Sequence, residues 1–271
     1  SIFDPPLTVS FWPEEPEVIG AADVFEKKGQ GTILSLYGVI PVHRGDYDRA
    51  LLEKILAIIK SGRPLVIAPE GGRSHEPAMR RAMPGIGYII EHTQVPVIPV
   101  GLVGTLDDFW QRAKRGEKPL LEMRIGKPII FSPITQKGAE RREARQHNAD
   151  LVMRHIAGLL PDEYHGVYAG QAISSWMNNP IPRPVAEVWK PELVRLPEMT
   201  HSRRLFRSFA HGLIKFVAKI CLKVTATGME NFPLEGPVLV VINHLGDSDV
   251  PALISTFPFP PDALGKIELY E

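Results

Sequence analysis

The chain has little of several things that define other protein classes. Among its 271 residues there is a single cysteine, Cys221, which excludes a framework of intrachain disulfides and fits a reducing compartment such as the cytoplasm. Lys plus Arg and Asp plus Glu both number 31, so net charge gives no reason to expect a nucleic acid partner. The sequence also lacks a Cys/His cluster with the spacing of zinc ligands.

Long hydrophobic runs are absent too. No apolar stretch approaches the roughly 18 residues that cross a bilayer, and the first residues lack the basic-then-apolar order of a signal peptide. Insertion across a membrane is therefore not expected. The chain begins at Ser1 rather than Met and stops at Glu271 soon after an apparent helix start, which suggests a piece of a longer protein.

What is present is an alternation of short apolar runs and helical periodicity, which predicts an α/β fold with a mixed β-sheet flanked by helices. Strands are predicted at 34–42, 64–69, 95–100, 121–131 and 237–242, and helices at 47–61, 80–92, 137–160, 202–222 and from about 248. In the run VPVIPV, Pro96 and Pro99 favour an edge strand or a strand end.

The organisation changes at residues 169–200, which carry five prolines and no sustained periodicity and are predicted to be a linker. This divides the chain into a first portion, 1–168, and a last portion, 201–271. A weak repeat links the two ends of the chain, because IGAADVFE at 19–26 resembles LGKIELYE at 264–271.

The sharpest chemical signal is the motif NHLGDSD at 243–249, between an apolar strand and a helical segment. Asp249 can accept the imidazole N–H of His244 and leave the other ring nitrogen free to take a proton from a hydroxyl. The alternative is that these residues only cap and turn the chain. His43 and Asp48 have the same spacing without a preceding Asn, and we interpret them as surface turn residues.

A second motif, Pro69-Glu70-Gly71-Gly72-Arg73-Ser74, also follows an apolar strand. Glycines let the backbone approach a ligand closely, and a guanidinium can bind a phosphate through two parallel hydrogen bonds. An ordinary glycine-rich turn with a solvated Arg73 is the alternative. Arg44, which ends the run GVIPVHR, is a candidate second phosphate ligand or an exposed cation.

Together these segments resemble the family of 1-acylglycerol-3-phosphate acyltransferases, whose hallmarks are N-H-x4-D, G-x-I-x-x-x-R, E-G-T-R-S and V-P-V-x-P-V. The resemblance implies that His244 is the general base and Asp249 its orienting partner. It assigns the following residues to substrate binding, with Pro99 in the wall of the acyl site: Glu70, Gly71, Gly72, Arg73, Ser74, Arg44, Asn243 and Pro99.

The sequence departs from the family pattern in two residues and in motif order. Gly72 replaces the Thr of E-G-T-R-S, and Gly246 replaces a Ser common two residues after the His, which puts substrate preference in doubt. The N-H-x4-D block lies near the C-terminus although it comes first in the family. The chain is therefore either a circular permutant or a piece of two tandem units, with the rear of one and the front of the next. We expect the two portions to pack as one composite domain with His244 facing Arg73.

The segment 201–223 contains six Arg or Lys and no acidic residue, with a second, apolar stripe at helical spacing. This pattern is typical of a helix in an anionic membrane interface, although a core helix with a solvated basic face is the alternative. The resemblance implies transfer of a fatty acyl group from acyl-CoA or acyl carrier protein to the sn-2 hydroxyl of 1-acylglycerol 3-phosphate at the membrane surface. No metal or bound cofactor is expected. The rival functions are acylation of glycerol 3-phosphate or another lysolipid, and a non-catalytic lipid-binding fragment.

Overall fold

A computed structural model describes residues 18–21, 39–42, 49–62, 65–70, 78–105, 108–174, 205, 216, 219–231, 237–243 and 262–263. Its strands are β1 (Val18–Ala21), β2 (Val39–Val42), β3 (Leu65–Ile67), β4 (Val97–Val103), β5 (Leu120–Ile125), β6 (Lys223–Thr227), β7 (Leu239–Ile242) and β8 (Asp262–Ala263). The α-helices are α1 (Arg49–Lys60), α2 (Gly85–Thr93), α3 (Phe109–Lys114) and α4 (Gly138–Ala157). Short 3-10 turns lie at Asp162–Tyr164, Gly166–Tyr168 and Met229–Asn231.

Six of the strands form one sheet in the order β6-β5-β4-β7-β3-β8. The strands β8, β3, β7 and β4 are mutually parallel, β5 runs antiparallel to β4, and β6 is parallel to β5. Strands β1 and β2 pair in parallel as a separate two-stranded sheet. The predicted α/β fold with a mixed sheet is therefore confirmed.

The strand β7 joins the two portions of the chain, because it lies between β3 and β4 of the first portion. Its four residues, LVVI, are all buried, which is the continuous apolar pattern expected of a parallel strand covered on both faces. Leu239 and Val241 pack in the same cluster as buried residues of α1, α2 and α4, whereas Val240 and Ile242 pack in the cluster of the opposite face. The core of the sheet is thus built from both portions.

Strand β4, which contains Pro99 and directly follows Pro96, lies in the interior of the sheet. The two prolines had favoured an edge strand or a strand end. Pro99 is tolerated because it lies just before the β4–β5 ladder, whose first pair on β4 is Val100. At Pro99 only the carbonyl oxygen bonds to the neighbouring chain, where it accepts the Gly126 N–H at 2.9 Å. Residues 126–128, which belong to no strand, separate the β4–β5 ladder from the isolated bridge between Val97 and Ile129. The missing N–H of proline therefore leaves no ladder bond unmade.

Helix boundaries follow local chemistry closely. The predicted helix at 80–92 begins only at Gly85, directly after Pro84, and ends at Thr93 with Gln94 in the left-handed conformation. Gly87 lets α2 approach α4 because a Cβ there would lie 2.2 Å from the Arg145 carbonyl oxygen.

The first residues of the predicted linker continue the packed structure, since the Ile173 N–H donates to the Arg154 carbonyl at 2.9 Å.

Candidate active site

Two of the motifs leave the sheet at the same edge. In the parallel pair β3–β7, Ile67 is in register with Val241, so Glu70 and His244 each come three residues after a paired position. Strand β4 is the other parallel neighbour of β7, with Val100 in register with Ile242. The carboxyl edge of parallel strands is where α/β proteins bind ligands, so this edge is the candidate site.

At the end of β7, the side chain of Asn243 is fully buried and bonds to the backbone of β4. Its Oδ1 accepts the Leu102 N–H at 2.7 Å, and its Nδ2 donates to the Leu102 carbonyl at 3.1 Å. The amide therefore substitutes for a peptide group and takes ladder positions that a longer strand would use. A buried amide with both ends paired carries no desolvation penalty, which explains how Asn is accommodated there.

After the end of β3, Glu70 is 1% exposed and its Oε2 accepts the Arg80 N–H at 2.7 Å. The carbonyl of Pro69 accepts the Met83 N–H at 2.7 Å. These two bonds connect the end of β3 to the segment before α2, so they hold together the two ends of the intervening loop. That loop contains Gly71, Gly72, Arg73 and Ser74.

The segment beyond the loop is braced from α4 and the turns that follow it. The Met79 N–H donates to the Tyr164 carbonyl at 2.9 Å, and the Ala82 N–H donates to the Tyr168 hydroxyl at 2.9 Å. That hydroxyl in turn donates to Asp150 at 2.8 Å. Burial and the neighbouring Asp150 carboxylate raise the pKa of Tyr168 well above its ordinary value, so the phenol stays a donor.

Sequence reasoning missed the contribution of Tyr168 and Asp150. They follow the loop by about 80–100 residues and belong to no motif, so local pattern offers no signal for them. Tyr168 contacts the segment before α2 through a backbone group, the Ala82 N–H, which a sequence does not identify.

The comparisons with known proteins bear on this edge directly. The family model described as Acyltransferase matches residues 1–103, which include β3, β4 and the loop between Glu70 and Arg80. These residues are therefore similar to acyltransferases. The acyltransferase match ends at the last residue of β4, so β7 and the N-H-x4-D block lie outside it.

The 1-acyl-sn-glycerol-3-phosphate acyltransferase BAT2, chloroplastic, of Brassica napus is 32% identical over 77 residues, which are 28% of this chain and 22% of that protein. The chain thus spans about a fifth of the length of this curated relative. No solved structure gives a significant match.

Of the residues that the acyltransferase resemblance assigns, three lie in the described structure. Glu70 and Asn243 are at the carboxyl edge, and Pro99 is buried in the middle of β4, paired in register with Val241. The others lie outside the described residues: His244, Asp249, Arg44, Gly71, Gly72, Arg73 and Ser74. The expectation that His244 faces Arg73 stays a prediction.

Metal-site and membrane-spanning features concern the described residues alone. Among them, no group of His, Cys, Asp and Glu has the arrangement of a metal site. None of the helices within the described ranges is both long enough and apolar enough to cross a membrane.

Proposed function

We propose that this acyltransferase moves a fatty acyl group from acyl-CoA or acyl carrier protein to the sn-2 hydroxyl of 1-acylglycerol 3-phosphate. The observation that carries the proposal is the in-register parallel pairing of β3 with β7. Since chains leave neighbouring parallel strands at one edge, the strand ends before Arg73 and before His244 are adjacent. The family match over residues 1–103 and the name of the Brassica napus relative support the reaction class.

The proposed reaction is a proton transfer coupled to acyl transfer. His244, oriented by Asp249, takes the proton of the acceptor hydroxyl, and the oxygen attacks the thioester carbonyl. The C–S bond breaks, the new C–O ester bond forms, and the thiolate leaves with the proton that the imidazole returns. Arg73 holds the phosphate of the acceptor, which is the group its planar guanidinium binds best.

The sequence supplies a matched control for the base, because His43 has the same H-x4-D spacing as His244 but follows β2 in the separate sheet. In an acyl transfer assay with 1-acylglycerol 3-phosphate, we expect His244→Ala to lower kcat by about 10²–10⁴-fold. His43→Ala keeps wild-type turnover. Equal rates for wild type and His244→Ala would refute the mechanism and favour a non-catalytic lipid-binding role.

The acceptor is tested with Arg73. Removing a charged hydrogen-bond donor from a phosphate costs about 10–100-fold in affinity, so Arg73→Ala should raise the KM for 1-acylglycerol 3-phosphate by that factor. Glycerol 3-phosphate and an uncharged lysolipid serve as comparison acceptors in the same assay. A KM that does not change in Arg73→Ala would contradict the assignment.

The acceptor is a membrane lipid, so the proposal includes docking on an anionic membrane surface through residues 201–223. Leu205, Phe216 and Ile220 are 60%, 63% and 51% exposed. Apolar side chains this exposed, in a segment with six Arg or Lys and no acidic residue, fit an interfacial helix.

A further inference from the structure

We propose that Asn243 is a positioning residue that sets the direction in which the chain leaves β7 toward the base His244. The proposal rests on the proposed function, since it concerns the base of that reaction. It differs from the role that the family resemblance implies for Asn243, which is contact with substrate.

The hydrogen bonds of Asn243 argue against substrate contact. Its side chain is 0% exposed, and both the Oδ1 and the Nδ2 are engaged by the backbone of Leu102. The amide has no exposed surface to offer a ligand. It acts instead on the strand end, where the last β4–β7 pair is Val100 with Ile242.

The geometry also explains why the residue is Asn. A side chain that both accepts from an N–H and donates to a C=O one step beyond the ladder must be an amide of this length. Asp lacks the donor, Leu has neither group, and Gln is longer by one methylene. Because the amide occupies the backbone groups of Leu102 that would pair with a continuing β7, the β4–β7 ladder ends at Ile242.

Proton transfer is sensitive to the position of the base. A displacement of about 1 Å at a reacting group can cost roughly a hundredfold in rate. Since Asn243 is one peptide unit from His244, loss of its two bonds to β4 should lower kcat. The KM values for acceptor and donor should stay unchanged, because no substrate is bound by this side chain.

Asn231 provides a matched control. It is also buried, and its Nδ2 donates to the Ile125 carbonyl at 2.9 Å at the end of β5. The end of β5 is separated from β7 by strand β4, so it does not adjoin the strand end that carries Asn243. Asn231→Leu therefore removes a comparable bond at a distance from the candidate site.

The test is steady-state acyl transfer by the full chain carrying Asn243→Leu or Asn231→Leu, each also made in the His244→Ala background. Asn243→Leu should lower kcat about a hundredfold with unchanged KM. In the His244→Ala background it should add no further loss, and Asn231→Leu should leave kcat unchanged. A rise in KM at constant kcat, an additive loss without His244, or an equal loss in Asn231→Leu would each overturn the proposal.

A second readout separates this inference from the proposed function. If His244→Ala keeps wild-type activity, the proposed function fails, and the imidazole pKa of His244 measured by NMR still tests the role of Asn243. A base held against Asp249 has a raised pKa, so Asn243→Leu should lower it toward that of an unpaired imidazole, and Asn231→Leu should not. An unchanged His244 pKa in Asn243→Leu overturns the positioning role.

Discussion

At the scale of single residues, Glu91 of α2 forms ion pairs with two arginines of α4. Its carboxylate, 8% exposed, accepts the Arg141 Nε–H at 2.6 Å and the Arg145 Nε–H at 2.5 Å. Burial raises the pKa of this carboxyl, but the two guanidinium groups outweigh burial and hold the pKa below its ordinary value. A depressed folded-state pKa contributes stability that is present above the ordinary pKa and is lost as pH falls through the folded-state pKa.

We therefore expect Glu91→Gln to lower the free energy of unfolding at pH 7 by about 1–2 kcal/mol, because it removes the charge that both guanidinium groups bind. The loss is limited because both guanidinium groups are partly solvated, which screens the interaction. The difference from wild type should shrink as pH falls through the folded-state pKa of Glu91. Denaturant titrations at several pH values measure both effects.

Glu117 is the matched control, since its two oxygens also bind two arginine Nε groups, at 3.1 Å to Arg112 and 2.7 Å to Arg115. Glu117 is exposed and its partners are two and five residues away, so its bonds connect no separate elements. Glu117→Gln should leave the unfolding transition unchanged. If the two variants lose equal stability, burial of Glu91 between the helices contributes nothing.

At the scale of elements, the described residues of the segment 201–223 include exposed apolar side chains that belong to no core cluster. Phe216 and Ile220 are one helical turn apart, both are more than half exposed, and both have helical backbone conformation. Lys219 and Lys223, within three residues of Ile220 in the sequence, are also exposed. An apolar face flanked by cations fits the interface of an anionic bilayer.

The double variant Phe216→Asp/Ile220→Asp should bind anionic liposomes at least about tenfold more weakly, since each buried apolar side chain contributes about 1.5–3 kcal/mol. Co-sedimentation with phosphatidylserine-containing vesicles measures this, with phosphatidylcholine vesicles as the uncharged comparison. Ile130→Asp alters another exposed apolar residue, 47% exposed, and should bind like wild type. Equal binding by all three proteins would remove the docking role.

At the scale of the whole molecule, one sheet contains strands from both sides of the long predicted linker. Strand β7 lies between β3 and β4, and β8 pairs with the far side of β3. Strand β1 also contacts β8, so residues near the two ends of the chain meet. The proposal that this edge is a catalytic centre requires that this composite sheet fold as one unit.

Leu239→Ala tests that unity. Leu239 is fully buried in the cluster that contains residues of α1, α2 and α4, so its truncation should destabilise the whole unit by about 2–5 kcal/mol. Hydrogen exchange should show faster exchange not only in β7 but also in α2 and β4, which belong to the other portion of the chain.

Leu120→Ala is the control for this exchange experiment, because Leu120 is a strand leucine of the same sheet that is 48% exposed. It should leave the exchange rates of α2 and β4 unchanged. If Leu239→Ala changes exchange only within residues 219–243, the two portions are independent units.

Much of the fold was predictable because its elements carry strong local patterns. The helix predicted at 47–61 is α1, and the apolar run at 237–242 contains β7. The interior position of β4 was not predictable, because a proline within a strand favours an edge unless the ladder with the partner strand is interrupted at that point. The strand predicted at 121–131 ends at Ile125 for the same reason, since residues 126–128 belong to no strand and pairing returns only at the bridge of Ile129.

The candidate site, like the fold, was predictable from the sequence only in part. The motifs that contain Glu70 and Asn243 stand out in the sequence, because strand, glycine and polar residues follow each other in a pattern with chemical meaning. Their environment does not stand out: the partner of Glu70 is the N–H of Arg80, and the partner of Asn243 is the backbone of Leu102. Backbone groups carry no sequence identity, so a pattern cannot name them.

The amino-acid sequence by itself determined the α/β class of the fold, several of its strands and helices, and the two motifs with which an acyl transfer reaction is proposed. Those properties depend on periodicity and composition over a few residues. Only the tertiary structure decided that β7 lies between β3 and β4, so that motifs about 170 residues apart in the chain leave the sheet at one edge. Strand order follows from the summed burial of apolar side chains on both faces of the sheet, which is a property of the whole chain and of no segment alone.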